Sequence, residues 1–118
     1  MAKKYTIEII NPITGKGLGR EYKANSEVEN EANYIEIGAI IRDENNIVMD
    51  NVVVSVETSD PTQNKAMTGT GNIVTIKTKT KKIRIPYYHL HYEFRQSGNH
   101  KITFEVGNSK EHVNIKVD

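Results

Sequence analysis

Residues 88–106 read YHLHYEFRQSGNHKITFEV, and the fold is decided there. In the first half Tyr88, Leu90, Tyr92 and Phe94 recur at every second position, with His89, His91 and Glu93 between them. In the second half Ile102, Phe104 and Val106 alternate with Lys101, Thr103 and Glu105. A period of two places alternate side chains on one face of an extended chain, so each half is a strand with one buried and one wet face. Gln96-Ser97-Gly98-Asn99 between the halves is turn chemistry, and the expectation is two antiparallel strands joined as a hairpin.

The same alternation continues on both sides. Residues 4–10 present Tyr5, Ile7 and Ile9 on one face and end at Asn11-Pro12. Residues 34–42 turn Ile35, Ile37, Ala39 and Ile41 inward, with Glu36 and Arg42 outward. Asp43-Glu44-Asn45-Asn46 is a turn of residues that tolerate left-handed backbone and bond their own main chain. After residues 47–50, Val52, Val54 and Val56 form the next apolar face, and this pair of strands is expected to be a hairpin. Residues 73–78 read as a further strand. Pro86 separates Ile83-Arg84-Ile85 from residues 88–106 and suits a strand edge or a bend. Gly107-Asn108-Ser109 is a turn, and a last strand over 110–117 faces Val113, Ile115 and Val117 inward. Ser26 and Glu29 have capping-box spacing, yet no apolar helical stripe succeeds them, so residues 20–33 read as an irregular edge. Residues 59–72 read as a long polar loop. The expected fold is all-β, an antiparallel sandwich of about seven or eight strands, in one domain over residues 1–118.

A chain of 118 residues suits one domain with one core. It has no Cys, which excludes disulfides, Cys-based zinc sites and thiol nucleophiles. Mean hydropathy is −0.58. That is polar for a globular chain, but the apolar residues are patterned, which argues against disorder. No apolar run approaches a membrane span. The opening residues MAKKYTIEIINP start basic, but the apolar stretch after Lys4 is too short and too polar for a signal peptide. If Met1 is the natural start, synthesis without an export signal is expected. Net charge is +1, unevenly spread: residues 1–60 carry six Lys/Arg and eleven Asp/Glu, residues 61–118 ten and four. The favoured expectation is that both halves interleave in one sandwich and the charges mix on its surface; the alternative is opposite-sign faces that favour head-to-tail contacts or docking on a charged partner.

Two charged segments are the candidate partner contacts. One is the basic run Lys77, Lys79, Lys81, Lys82 and Arg84; the other is acidic, Glu27, Glu29 and Glu31. Alternating Thr and Lys over 77–84 suits an exposed edge strand protected from edge-to-edge pairing. The same run is also a strip for anions. Nucleic acid is not an expected partner, because binding it needs a more basic domain. His89, His91 and Glu93 share a strand face, but neighbours there stand about 6–7 Å apart, too far for one zinc without favourable rotamers. Asp43, Asn45, Asp50 and Asp60 offer oxygen ligands without the calcium-loop spacing. The glycine-rich residues 14–19 lack the Gly-Lys-Ser/Thr ending of a phosphate loop. Ser55, Ser59, Ser97 and Ser109 have no nucleophile elbow, and the four His residues stand in no triad context. No catalytic residue, metal or cofactor is expected.

Residues 42–54, RDENNIVMDNVVV, resemble the strand, Asp-x-Asn turn and Val-rich strand of bacterial and phage immunoglobulin-like (Big-type) domains. Residues 92–104, YEFRQSGNHKITF, resemble the penultimate hairpin of the same family. The likeness covers residues 34–117, with a first strand at 4–10. It departs at Asn46, where the turn usually has Gly, and at Asn99-His100, where Gly-Thr-Tyr is common. The resemblance implies an immunoglobulin-like sandwich with structural or adhesive work: stacked stalks on bacterial surfaces, or decoration of phage capsids and tails with contacts to host glycans. With no export signal read at Met1, the favoured expectation is a non-enzymatic virion component docked on a phage capsid or tail protein. The alternatives are a repeat of an adhesin or stalk at the bacterial cell surface, and a carbohydrate-binding module using Tyr87, Tyr88 or Tyr92 as stacking platforms. Neither a membrane nor a nucleic acid is an expected partner.

Overall fold

A computed structural model describes residues 4–12, 17, 21–23, 33–59, 64–68, 72–94 and 98–117. Among these lie eleven strands: β1 (Thr6–Ile10), β2 (Glu21–Lys23), β3 (Asn33–Arg42), β4 (Val48–Met49), β5 (Ser55–Thr58), β6 (Asn64–Thr68), β7 (Ile73–Lys77), β8 (Lys82–Pro86), β9 (Tyr88–Phe94), β10 (Gly98–Val106) and β11 (Ser109–Val117). The first sheet runs β1-β3-β9-β6, with β4 also paired to β3; the second runs β2-β11-β10-β5; β7 and β8 form a separate pair. All pairings are antiparallel except β2 with β11.

This order is the immunoglobulin constant-type arrangement. Strands β1, β3, β9 and β6 take the A, B, E and D places, and β5, β10 and β11 take C, F and G. The expected all-β immunoglobulin-like sandwich is therefore the fold, with seven strands in the frame and four additions: β2, β4 and the β7–β8 hairpin. Its core is the set of alternate residues read from sequence. Ile37, Ala39, Ile41, Tyr88, Leu90 and Tyr92 of the first sheet face Ile102, Phe104, Val106, Val113 and Ile115 of the second, joined by Ile7 and Ile9. Burying each large apolar side chain stabilises by about 1.5–3 kcal/mol. His100 continues the inward alternation of β10 at 4% exposure, edge-on to the Tyr92 ring.

Two expected hairpins are corrected. Strands β9 and β10 do not pair: β9 lies between β3 and β6, and β10 between β11 and β5. The apolar faces of the two strands meet across the sandwich instead of lying side by side. Alternation is satisfied either way, which is why it did not separate the two. In the same way β3 and β5 belong to opposite sheets. Only Val48 and Met49 turn back on β3, opposite Arg42 and Ile41. The turn between them is as expected: Asp43 Oδ1 accepts from the backbone N–H of Asn45 and of Ile47, both at 2.9 Å. Asn46 adopts φ +65° and so fills the left-handed place where the family usually has Gly. The loop expected over 59–72 contains β6, an edge strand paired along β9.

A second apolar cluster lies on the outer face of the first sheet. Ile10 and Ile40, both fully buried, point away from the main core and meet Val74, Ile85 and Tyr87. Val48, Ile76 and Ile83 pack against this cluster. The β7–β8 hairpin is thus a flap that covers one patch of the sheet.

Candidate functional site

The flap carries the basic run. Its register pairs Val74 with Ile85, both members of the second apolar cluster, and Ile76 with Ile83, which pack against it. The intervening pairs, Thr75 with Arg84 and Lys77 with Lys82, are exposed on the opposite face. The chain reverses over residues 78–81. Thr78 N donates to Lys81 O at 2.8 Å, while Thr78 Oγ1 accepts from the backbone N–H of Lys81 at 3.1 Å. The run expected as one exposed edge strand is therefore folded back on itself, because Thr78 supplies turn bonds that continuous alternation conceals.

Folding back concentrates charge. Lys77, Lys79, Lys81, Lys82 and Arg84 are all exposed on this one hairpin. Lys77 and Lys82 stand directly opposite each other, and like charges at such a pair destabilise a sheet. Among the described residues the ion pairs between fully charged groups are Arg42 with Glu8 and Lys110 with Glu105, and the rings of His89 and His91 approach Glu36. None involves the flap. Glu27, Glu29 and Glu31, the acidic half of the expected contacts, lie outside the described residues, as does Asp60.

Beside the flap is a polar cluster that sequence reading only half found. His89 and His91 share the outward face of β9, as expected. Their acidic neighbour is Glu36 of β3, whose Oε1 lies 3.4 Å from His89 Nε2 and from His91 Nδ1. Glu36 is opposite His91 in the ladder, a relation that local spacing does not reveal. Tyr87 Oη lies 3.0 Å from His89 Nδ1. Because Nε2 faces the Glu36 carboxylate, which only accepts, a neutral His89 ring carries its proton on Nε2 and the phenol donates to Nδ1. Burial first, and then the negative charge of Glu36, hold the Tyr87 phenol above its ordinary pKa. The phenol is thus kept protonated, the reverse of what an activated nucleophile needs. Among the described residues no group of three His, Asp or Glu side chains is able to hold a metal ion. The Asp43 carboxylate, considered as an oxygen ligand, is committed to its own turn.

The stacking-platform expectation is overturned. Tyr92 is fully buried, Tyr88 is 4% exposed and Tyr87 9%. Tyr88 Oη donates to Val52 O and accepts from Val52 N, both at 3.0 Å, tying β9 to the β4–β5 connection. An open depression of about 200 Å³ is lined by Glu57, Thr58, Ser59, Lys101 and Thr103 on the outside of the second sheet. It is smaller than the roughly 300–1,000 Å³ of small-molecule sites.

No known family matches the chain, and no curated protein matches it. Solved structures do. Domains 4 and 5 of the S-layer protein SbsC share the fold with TM-score 0.57 and 12% identity, over 99% of this chain and 46% of that one. The S-layer protein rSbsC(31-844) does so with TM-score 0.56 and 11% identity, over 100% of this chain and 13% of that one. The chain thus spans less than half the length of the structures it resembles.

Proposed function

We propose that this chain is a non-enzymatic, structural immunoglobulin-like module of a bacterial cell-surface assembly. The observation that carries this reading is the likeness of the whole fold to domains of S-layer proteins. The inward-facing residues support it: the described aromatic side chains of β9 and β10 are spent on the core, leaving a rigid body that works by its surface. The residues resembling bacterial and phage immunoglobulin-like domains fit a structural surface module and do not choose between stalk and virion. The virion expectation draws no support from either structural likeness. The module acts by abutting its neighbours, with the flap and the turns beside it as displayed features. The test is antibody labelling of intact source cells with serum raised against this domain. Labelling of whole cells, lost after protease shaving, is the expected result. Signal confined to lysed cells, or to purified phage particles, would overturn the proposal.

A further inference from the structure

Five exposed cations on one hairpin need a reason, because the arrangement opposes its own stability. Lys77 faces Lys82 across the pair, Arg84 lies on the same face two residues on, and Lys79 and Lys81 crown the turn. The hairpin lies outside the seven-strand frame and is pinned by its own apolar cluster. Its charges are therefore held in fixed relation and do not trail on a loose loop. Among the described residues no acidic side chain forms an ion pair with any of them.

The size of the face decides the kind of partner. Five residues of strand span about 17 Å. Two paired strands of this length cover a face of about 17 by 10 Å, well under the roughly 800 Å² that a folded acidic protein needs on each side of a stable interface. A linear chain of negative charges meets several cations within that span. The exposed hydroxyls beside the cations that are free for sugar oxygens are those of Thr75 and Thr80, the Thr78 hydroxyl being spent on the turn, and no aromatic residue lies between the cations to stack a base. Four of the five cations are Lys, point charges without the guanidinium fork that selects planar geometry.

We infer that the outer face of the β7–β8 hairpin, carrying Lys77, Lys79, Lys81, Lys82 and Arg84, is a binding surface for a linear anionic glycan. The inference deepens the surface-module reading by naming a partner, and its test is separate from the test of that reading. The negative groups of such a polymer are carboxylates or phosphodiesters, and the same hairpin meets either.

The experiment measures fluorescence anisotropy of labelled polygalacturonate, poly(N-acetylmannosamine phosphate) and a single-stranded oligothymidylate against the full chain, at low and at physiological salt. At least one glycan should bind, with affinity falling as salt rises. The double variant Lys77→Glu/Lys82→Glu should weaken that binding by about tenfold or more. Lys101→Glu/Lys116→Glu makes the same change in net charge on the outside of the second sheet and should leave binding unaltered. Should the first variant fail to fold by circular dichroism, Lys79→Gln/Lys81→Gln, confined to the turn, carries the same expectation with a smaller loss. Preference for polygalacturonate or for poly(N-acetylmannosamine phosphate) supports the inference and identifies the anionic group. Absence of binding to both glycans, equal loss in the two charge variants, or tighter binding of the oligothymidylate would overturn it. A chain that labels on intact cells yet binds neither glycan overturns this inference and leaves the structural role standing.

Discussion

A Cβ on Gly38 would stand 2.6 Å from Cδ2 of Tyr87 and 3.1 Å from Cγ1 of Ile10. The Tyr87 ring cannot simply swing away, since its backbone N–H is bonded to Asn72 O and its hydroxyl to His89. Gly38→Ala should therefore destabilise by about 1–3 kcal/mol, the usual cost of overpacking, read as a lower urea midpoint. Tyr87 itself supplies a pH test. Its phenol is held above the ordinary value of 10.0 by burial and by Glu36. The folded state thus keeps the proton more tightly than the unfolded chain. The resulting stabilisation is complete below a pH of about 10 and is lost as pH climbs through the raised value. Between pH 9 and a pH of about 11 the unmodified protein should lose more stability by urea unfolding than Tyr87→Phe does. At this scale the sequence was legible where a residue's role is local, as with Asp43 and its turn. It was not legible for Glu36, which meets His89 and His91 only because β3 lies beside β9. One signal of the second cluster was present in the sequence: Ile9-Ile10 and Ala39-Ile40-Ile41 break the alternation, as strands covered on both faces do.

At the scale of the element, the flap sets affinity against stability. Replacing one member of the Lys77–Lys82 pair by Glu converts repulsion into attraction. Lys82→Glu should stabilise by about 0.2–1 kcal/mol, visible as a small rise in Tm. The same change should weaken polyanion binding, so the two readouts move in opposite senses. Strand periodicity found most of these elements, but it gave no sheet membership. A period of two says that one face is buried without saying against what, and so 88–106 and 34–56 both read as hairpins when each crosses between sheets. The flap's own turn escaped notice for another reason. Residues 78–81 contain no Gly, Pro, Asn or Asp, the residues by which turns are recognised, and a single Thr hydroxyl closes the reversal.

Over the whole molecule, the frame and the flap are built on separate apolar clusters and should unfold separably. The main core has no member in the second cluster. Excising residues 73–86 and bridging Asn72 to Tyr87 with a short Gly-Ser link should leave an all-β circular-dichroism spectrum and a cooperative melt. It should also expose Ile10 and Ile40, now fully buried, and promote self-association measurable by sedimentation. Changing both to Thr in the excised chain should restore the monomer. Loss of all tertiary structure on excision would show that the flap is part of the frame. Composition and alternation gave the fold class; the order of strands came only with pairing, because it depends on contacts between residues far apart in the chain.

The flap enters and leaves the sandwich at almost one point, where Tyr87 N donates to Asn72 O at 3.1 Å. An insert whose two ends meet imposes no spacing on the strands that flank it. It is placed as a cassette is: a longer, shorter or differently charged hairpin fits between the same two residues while β9 and its neighbours stay in place. The charge of the displayed face can then be changed without altering the sandwich that supports it.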